Sequence, residues 1–192
     1  SVEGSLSKLK TDRIDILLIH RPDPLMDADE VAEAFTELRQ SGKVLHFGVS
    51  NFTPSQFKLL ASRLSFPLVT NEVQFSVMHL DAWADGTLDL CQRLRISPMA
   101  WSPLGGGRLF REDTEQTQRL RKEMKEIGEE LGDASIDQVA LAWILRHPSK
   151  VIPILGTGAI ERVRSAVKAE QLELSREQYF RIWTASTGAG LP

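Results

Sequence analysis

The chain has 192 residues, 42% hydrophobic and 26% charged, with a formal net charge of −3. That is an ordinary soluble composition with enough chain for one sizeable core, and the acidic balance without a basic run excludes a general nucleic-acid binder. Cys91 is the sole cysteine, so no internal disulfide forms and a reducing, cytoplasmic compartment is expected; no apolar segment approaches the roughly 18 residues of a membrane span.

In chain order, Val2, Leu6 and Leu9 form a helical stripe closed by the polar turn Thr11-Asp12-Arg13. Ser1 opens straight into this pattern, so further sequence is expected before it. The run Ile14 to Ile19 is nearly all apolar, which predicts a strand buried on both faces of a parallel sheet. It ends at His20 and the loop Arg21-Pro22-Asp23-Pro24. Between about Ala28 and Gln40, Val31, Ala34, Phe35 and Leu38 recur at helical spacing, and Gly42 ends that helix. A β-branched and apolar strand follows at 44–49, then the polar corner Ser50-Asn51, then a helix from Pro54 to about Arg63. Thr53 suits its N-cap, Pro54 its first position, and Gln56 completes a capping box.

Val69 to Phe75 predicts a third strand carrying Asn71, Glu72 and Gln74, and Leu80 to Leu94 a helix weakly interrupted by Gly86. Ile96 to Trp101 predicts a fourth strand, running into the glycine-rich loop Ser102 to Arg108. A charged helix spans about Thr114 to Leu131 and stops at Gly132; Ser135 with Gln138 starts another that reaches Arg146. Val151 to Leu155 predicts a fifth strand, ending in Gly156-Thr157-Gly158 before a helix from Glu161 to about Ala169. Ser175 with Gln178 opens a last helix before the tail Gly188 to Pro192, a candidate pocket wall with no assigned chemistry. With no linker or low-complexity stretch, residues 1–192 read as a single domain.

Strand and helix alternate five times, the spacing of a parallel α/β sheet. Parallel strands put His20, Ser50-Asn51, Gln74, Trp101-Ser102 and Gly156-Thr157-Gly158 on one rim. An open sheet focuses its ligand at one switch point, whereas a barrel draws on every strand end; the pattern here is the barrel's. Taken singly, each group has a bland alternative: a strand-end histidine, turn-forming Ser and Asn, a core tryptophan, a plain loop.

Four segments together resemble the aldo-keto reductases in order and spacing: Ile16 through Pro22, Gly42 through Phe52, Asn71 through Phe75, and Trp101 through Gly105. The resemblance implies a (β/α)8 TIM barrel, of which this chain supplies about five βα units plus a C-terminal helix, reducing aldehydes or ketones with NADPH. It implies that His20 is the active-site histidine that positions the substrate carbonyl. It implies that Ser50, Asn51 and Gln74 hydrogen-bond the nicotinamide carboxamide and that the nicotinamide stacks on Trp101. Ser102, Leu104 and Gly105 then pass the pyrophosphate, with Arg108 adding charge. Gly156, Thr157 and Gly158 take the adenosine phosphate, and Arg162 or Arg164 meets the 2′-phosphate.

There are departures from the family pattern. Ile154, Leu155 and Ala159 stand where many members have lysine or serine, and Ser165-Ala166 where an adenine-reading Glu-Asn pair is usual; both bear on NADP against NAD. The family's general-acid tyrosine, its lysine and its aspartate lie on strands that would precede Ile14. Tyr179 matches none of them, so the 192 residues alone are expected to be inactive and to need an N-terminal barrel part. The other function class compatible with these residues is a non-enzymatic nucleotide-binding barrel, either a redox sensor or an auxiliary subunit. A Schiff-base aldolase is disfavoured because Lys43 and Lys150 precede strands, and His20, His46, His79 and His147 lack metal-ligand spacing.

Overall fold

Five strands and ten helices alternate along residues 1–190, the residues that the computed structural model describes. Leu191 and Pro192, the end of the candidate wall, lie outside them. The chain forms two units, Ser1–Val73 and Gln74–Pro192.

The first unit runs α1 (Val2–Leu9), β1 (Ile14–Ile19), α2 (Ala28–Gln40), β2 (Val44–Ser50), α3 (Pro54–Ala61) and β3 (Leu68–Gln74), whose final residue begins the second unit. The helix starts are local chemistry. Asp27 accepts the Asp29 and Glu30 amides to cap α2. Thr53 and Gln56 exchange side-chain and main-chain bonds in the expected capping box, with Pro54 in the first turn of α3. β1 and β2 pair in parallel from Ile14↔Val44 to Ile19↔Val49. β2 and β3 are also parallel, with a register shift before Val49↔Asn71 and Ser50↔Glu72. Gly48 permits this close approach: a Cβ there would fall 2.6 Å from Leu18 Cδ2 and 2.9 Å from the Thr70 carbonyl. Val44, Phe47, Val49 and Leu60 are fully buried, and Phe35 stacks on Phe47 at 4.1 Å. β1 departs from expectation. It is not buried on both faces, since Ile16 is 50% exposed and Asp15 is exposed too; β1 has β2 along only one of its edges in this unit.

The second unit runs α4 (Asp81–Ala84), α5 (Thr87–Leu94), β4 (Met99–Trp101), α6 (Arg108–Arg111), α7 (Glu115–Glu130), α8 (Ile136–Leu145), β5 (Ile152–Pro153), α9 (Ile160–Val167) and α10 (Arg176–Thr187). Gly86, at φ 80, divides α4 from α5 outright. β4 and β5 are parallel, pairing Met99↔Ile152 and Ala100↔Pro153, but both are shorter than expected. For β4 the reason is local: Arg95 takes φ 56 to close α5, and the Ile96 amide is spent on the Cys91 carbonyl of that cap. The segment after β4 is not a plain loop but a 3₁₀ turn, Gly105–Gly107, leading into α6.

The core of this unit is α8, buried continuously from Val139 to Ile144. Trp143 stacks on Tyr179 of α10 at 4.7 Å and donates its indole N–H to the Tyr179 carbonyl. Burial pushes the Tyr179 hydroxyl above its ordinary range, with Arg146 opposing. α10 is also clasped to α7 by Arg181, whose guanidinium meets Glu123, Glu126 and Glu130.

Candidate cofactor site

In the first unit the site residues stand at the C-terminal ends of β1 and β2. His20 directly follows Ile19 and is exposed. Ser50 is the last residue of β2 and only 2% exposed; its hydroxyl donates to the Glu72 carbonyl at 3.0 Å. The Asn51 amide group donates to the Ser50 oxygen at 3.0 Å, and the Asn51 backbone N–H donates to the same Glu72 carbonyl at 2.7 Å. Asn51 adopts φ 60, a left-handed conformation that Asn accepts more readily than most residues. The two side chains are therefore tied to each other and to β3 before any ligand arrives.

One residue holding this corner was not singled out by sequence reasoning. Asn71, fully buried in β3, donates to the Phe52 carbonyl at 2.7 Å and accepts the Phe52 N–H at 3.4 Å. The available signal was a carboxamide inside an otherwise apolar strand, since a buried amide needs partners for both its donor and its acceptor.

In the second unit Gln74 and Trp101 are the last residues of β3 and β4, and both are half-buried. Ser102 turns at φ 51, and its carbonyl accepts the Gly105 N–H at 2.8 Å. Leu104 is half-buried and Gly105 buried. Gly105 has two reasons to be glycine: φ 62, and Met78 Sδ only 2.7 Å from any Cβ built there. Arg108 is drawn back onto the Gly105 carbonyl at 3.3 Å, so it braces this turn.

Gly156 and Gly158 are exposed beside open space and do not have positive φ, so neither backbone position demands glycine. Thr157 Oγ1 accepts the Ala159 N–H at 3.2 Å. α9 begins at Ile160 with no side-chain cap, and a helix start of this kind suits an anion. Of the two arginines considered for that anion, Arg164 pairs with Glu161 at 2.8 Å, whereas Arg162 is exposed and enters no ion pair among the described residues. Ser165, at the position where the family resemblance leads one to expect an adenine-reading pair, is tied to α8 through Gln138 and Asp137. Among the described residues no three His, Cys, Asp or Glu side chains gather as a metal site, and no helix is long and apolar enough to cross a membrane. Cys91 is buried, which pushes its thiol up to about 12, with Asp85 adding to the shift.

The family model described as "Aldo/keto reductase family" matches residues 1–186. The chain belongs to the aldo/keto reductase family. It is 60% identical to the oxidoreductase YdhF of Escherichia coli (strain K12), covering all of this chain and 64% of that protein. It is 47% identical to a 6-dehydroglucose reductase of Agrobacterium fabrum, over 98% of this chain and 62% of that protein. An aldo/keto reductase from Klebsiella pneumoniae, solved with NADP and acetate, superposes with a TM-score of 0.81 at 27% identity, over 94% of this chain and 62% of its own. The chain thus spans a little under two-thirds of the length of these relatives. With the family comes the fold: the five strand–helix units are units of an aldo/keto reductase (β/α)8 barrel.

Proposed function

We propose that the protein is an NADP(H)-dependent oxidoreductase that reduces aldehydes or ketones to alcohols. The observation that carries this reading is the built corner at the end of β2, where Ser50 and Asn51 are locked together ahead of any ligand. An amide presents a donor and an acceptor side by side, the pattern that matches a nicotinamide carboxamide. Gln74 offers the same pair from β3, and Trp101 offers a half-buried face for stacking. The Ser102-Leu104-Gly105 turn passes the pyrophosphate. The uncapped start of α9, after Gly156-Thr157-Gly158, receives the adenosine phosphate with Arg162 available for a 2′-phosphate. When bound, the dihydronicotinamide supplies the hydride.

His20 acts on the substrate side. An imidazole N–H at the strand end donates to the carbonyl oxygen and favours the negative charge that develops there. Tyr179 takes no part as a proton donor, because it is stacked on Trp143 with its acidity weakened by burial. We assign the protein to the cytoplasm on its single, buried cysteine.

The test is NADPH consumption by the intact protein over a panel of aldehydes and ketones that includes 6-dehydroglucose, the compound in the name of the Agrobacterium relative. Turnover of any member supports the reading. Tight NADPH binding without turnover of any would favour a nucleotide-binding sensor or subunit instead.

A further inference from the structure

We propose that Asn71 is a positioning residue for the cofactor, acting through the Ser50–Asn51 corner; the inference rests on the reading of that corner as the carboxamide site. Asn51 must hold φ 60, which is not its lowest-energy conformation. Two main-chain anchors flank it. Behind it, the Ser50 hydroxyl and the Asn51 N–H both bind the Glu72 carbonyl. Ahead of it, Phe52 is held at both of its polar main-chain atoms by the one carboxamide of Asn71.

Val49 pairs with Asn71 and Ser50 with Glu72, so consecutive residues of β3 hold consecutive peptide units of the turn. The arrangement is specific to a short amide. Aspartate keeps the acceptor for Phe52 N–H but presents no donor to the Phe52 carbonyl, and leucine offers neither. The Phe52 side chain is itself buried, so this peptide unit has no water to replace the lost partners. Without the clamp, the Glu72 anchor alone flanks the left-handed turn, and the Asn51 amide is held less consistently toward a ligand.

Calorimetric titration of the intact protein with NADP⁺ and, separately, with adenosine 2′,5′-bisphosphate separates positioning from simple destabilisation. Asn71→Ala should weaken NADP⁺ by about tenfold, the equivalent of about 1.4 kcal/mol, while the adenosine fragment keeps its affinity. Phe35→Leu, a core change in α2 at a ring that stacks on Phe47, should leave both affinities as they are in the wild type. Equal weakening of both ligands by Asn71→Ala, or of neither, overturns the proposal. Wild-type protein that binds the fragment but shows no added affinity for whole NADP⁺ overturns the carboxamide reading itself. Should Asn71→Ala not fold, amide hydrogen exchange of the wild type decides. A Phe52 N–H protected as strongly as those within β2 supports the clamp, and exchange as fast as a surface loop removes it.

Discussion

At the scale of single residues, what separates site from scaffold is whether a polar group is already spent inside the protein. The Ser50 hydroxyl hydrogen is committed to Glu72, so Ser50 can only accept from a ligand unless that bond is exchanged. Arg108 and Arg164 are committed to Gly105 and Glu161, which leaves Arg162 as the better match for a phosphate. Trp101 is half-buried at the end of β4. Trp101→Ala should weaken cofactor binding by about 1–3 kcal/mol through lost stacking and burial. Calorimetric titration checks it, and unchanged affinity in a folded variant would make Trp101 a core aromatic.

At the scale of elements, α7 is set by one close approach. Gly128 lies in the last turn of α7, against the chain that folds back after it, and a Cβ there would stand 2.2 Å from the Ala134 carbonyl oxygen. Helix propensity favours alanine over glycine by about 1 kcal/mol. Overpacking against a backbone atom costs about 1–3 kcal/mol, and at this distance the clash wins. Gly128→Ala should therefore lower the urea midpoint, whereas an increase would mean that the turn relaxes freely. The ion pairs that Arg181 makes to α7 are partly exposed and screened by solvent, and α10 is held separately to α8 by the stack of Tyr179 on the fully buried Trp143.

At the scale of the whole molecule, two expectations concern solution behaviour. His147 Nδ1 accepts the Ser149 N–H at 3.2 Å and lies 2.7 Å from the Ser149 hydroxyl. Burial lowers the His147 pKa, with Asp89 opposing. The folded state thus prefers the neutral ring. Its contribution is present above the unfolded value of 6.5 and is lost as pH falls through the lower folded value. The loss of stability between about pH 7 and about pH 5 should be smaller in His147→Gln than in wild type; equal losses would remove His147 from the account.

The second expectation concerns residues 1–192 expressed alone. The barrel of this family has eight strands, and the described residues supply five. Ile16 on β1 and Ile152 on β5 are 50% and 51% exposed. Open apolar strands of this kind favour association over cooperative folding. Residues 1–192 should show no sharp thermal transition in a melting scan; a sharp cooperative transition would refute this.

Much of this protein was determined by local sequence. Capping boxes at Thr53, Ser135 and Ser175 and the left-handed glycines at 42 and 132 mark helix ends within a few residues, because their chemistry needs only near neighbours. The alternation of strand and helix, and the polar groups at strand ends, were readable for the same reason. Tertiary structure alone decided the rest. Asn71 could not be chosen over Glu72 or Gln74 until the register of β3 against β2 brought its amide to Phe52. The short β4 and β5, the exposed face of β1 and the braced turn at Gly105 likewise depend on partners distant in the chain or on caps that compete for the same amides. Apolarity shows that a strand can be buried, but only its neighbours determine how much of it is.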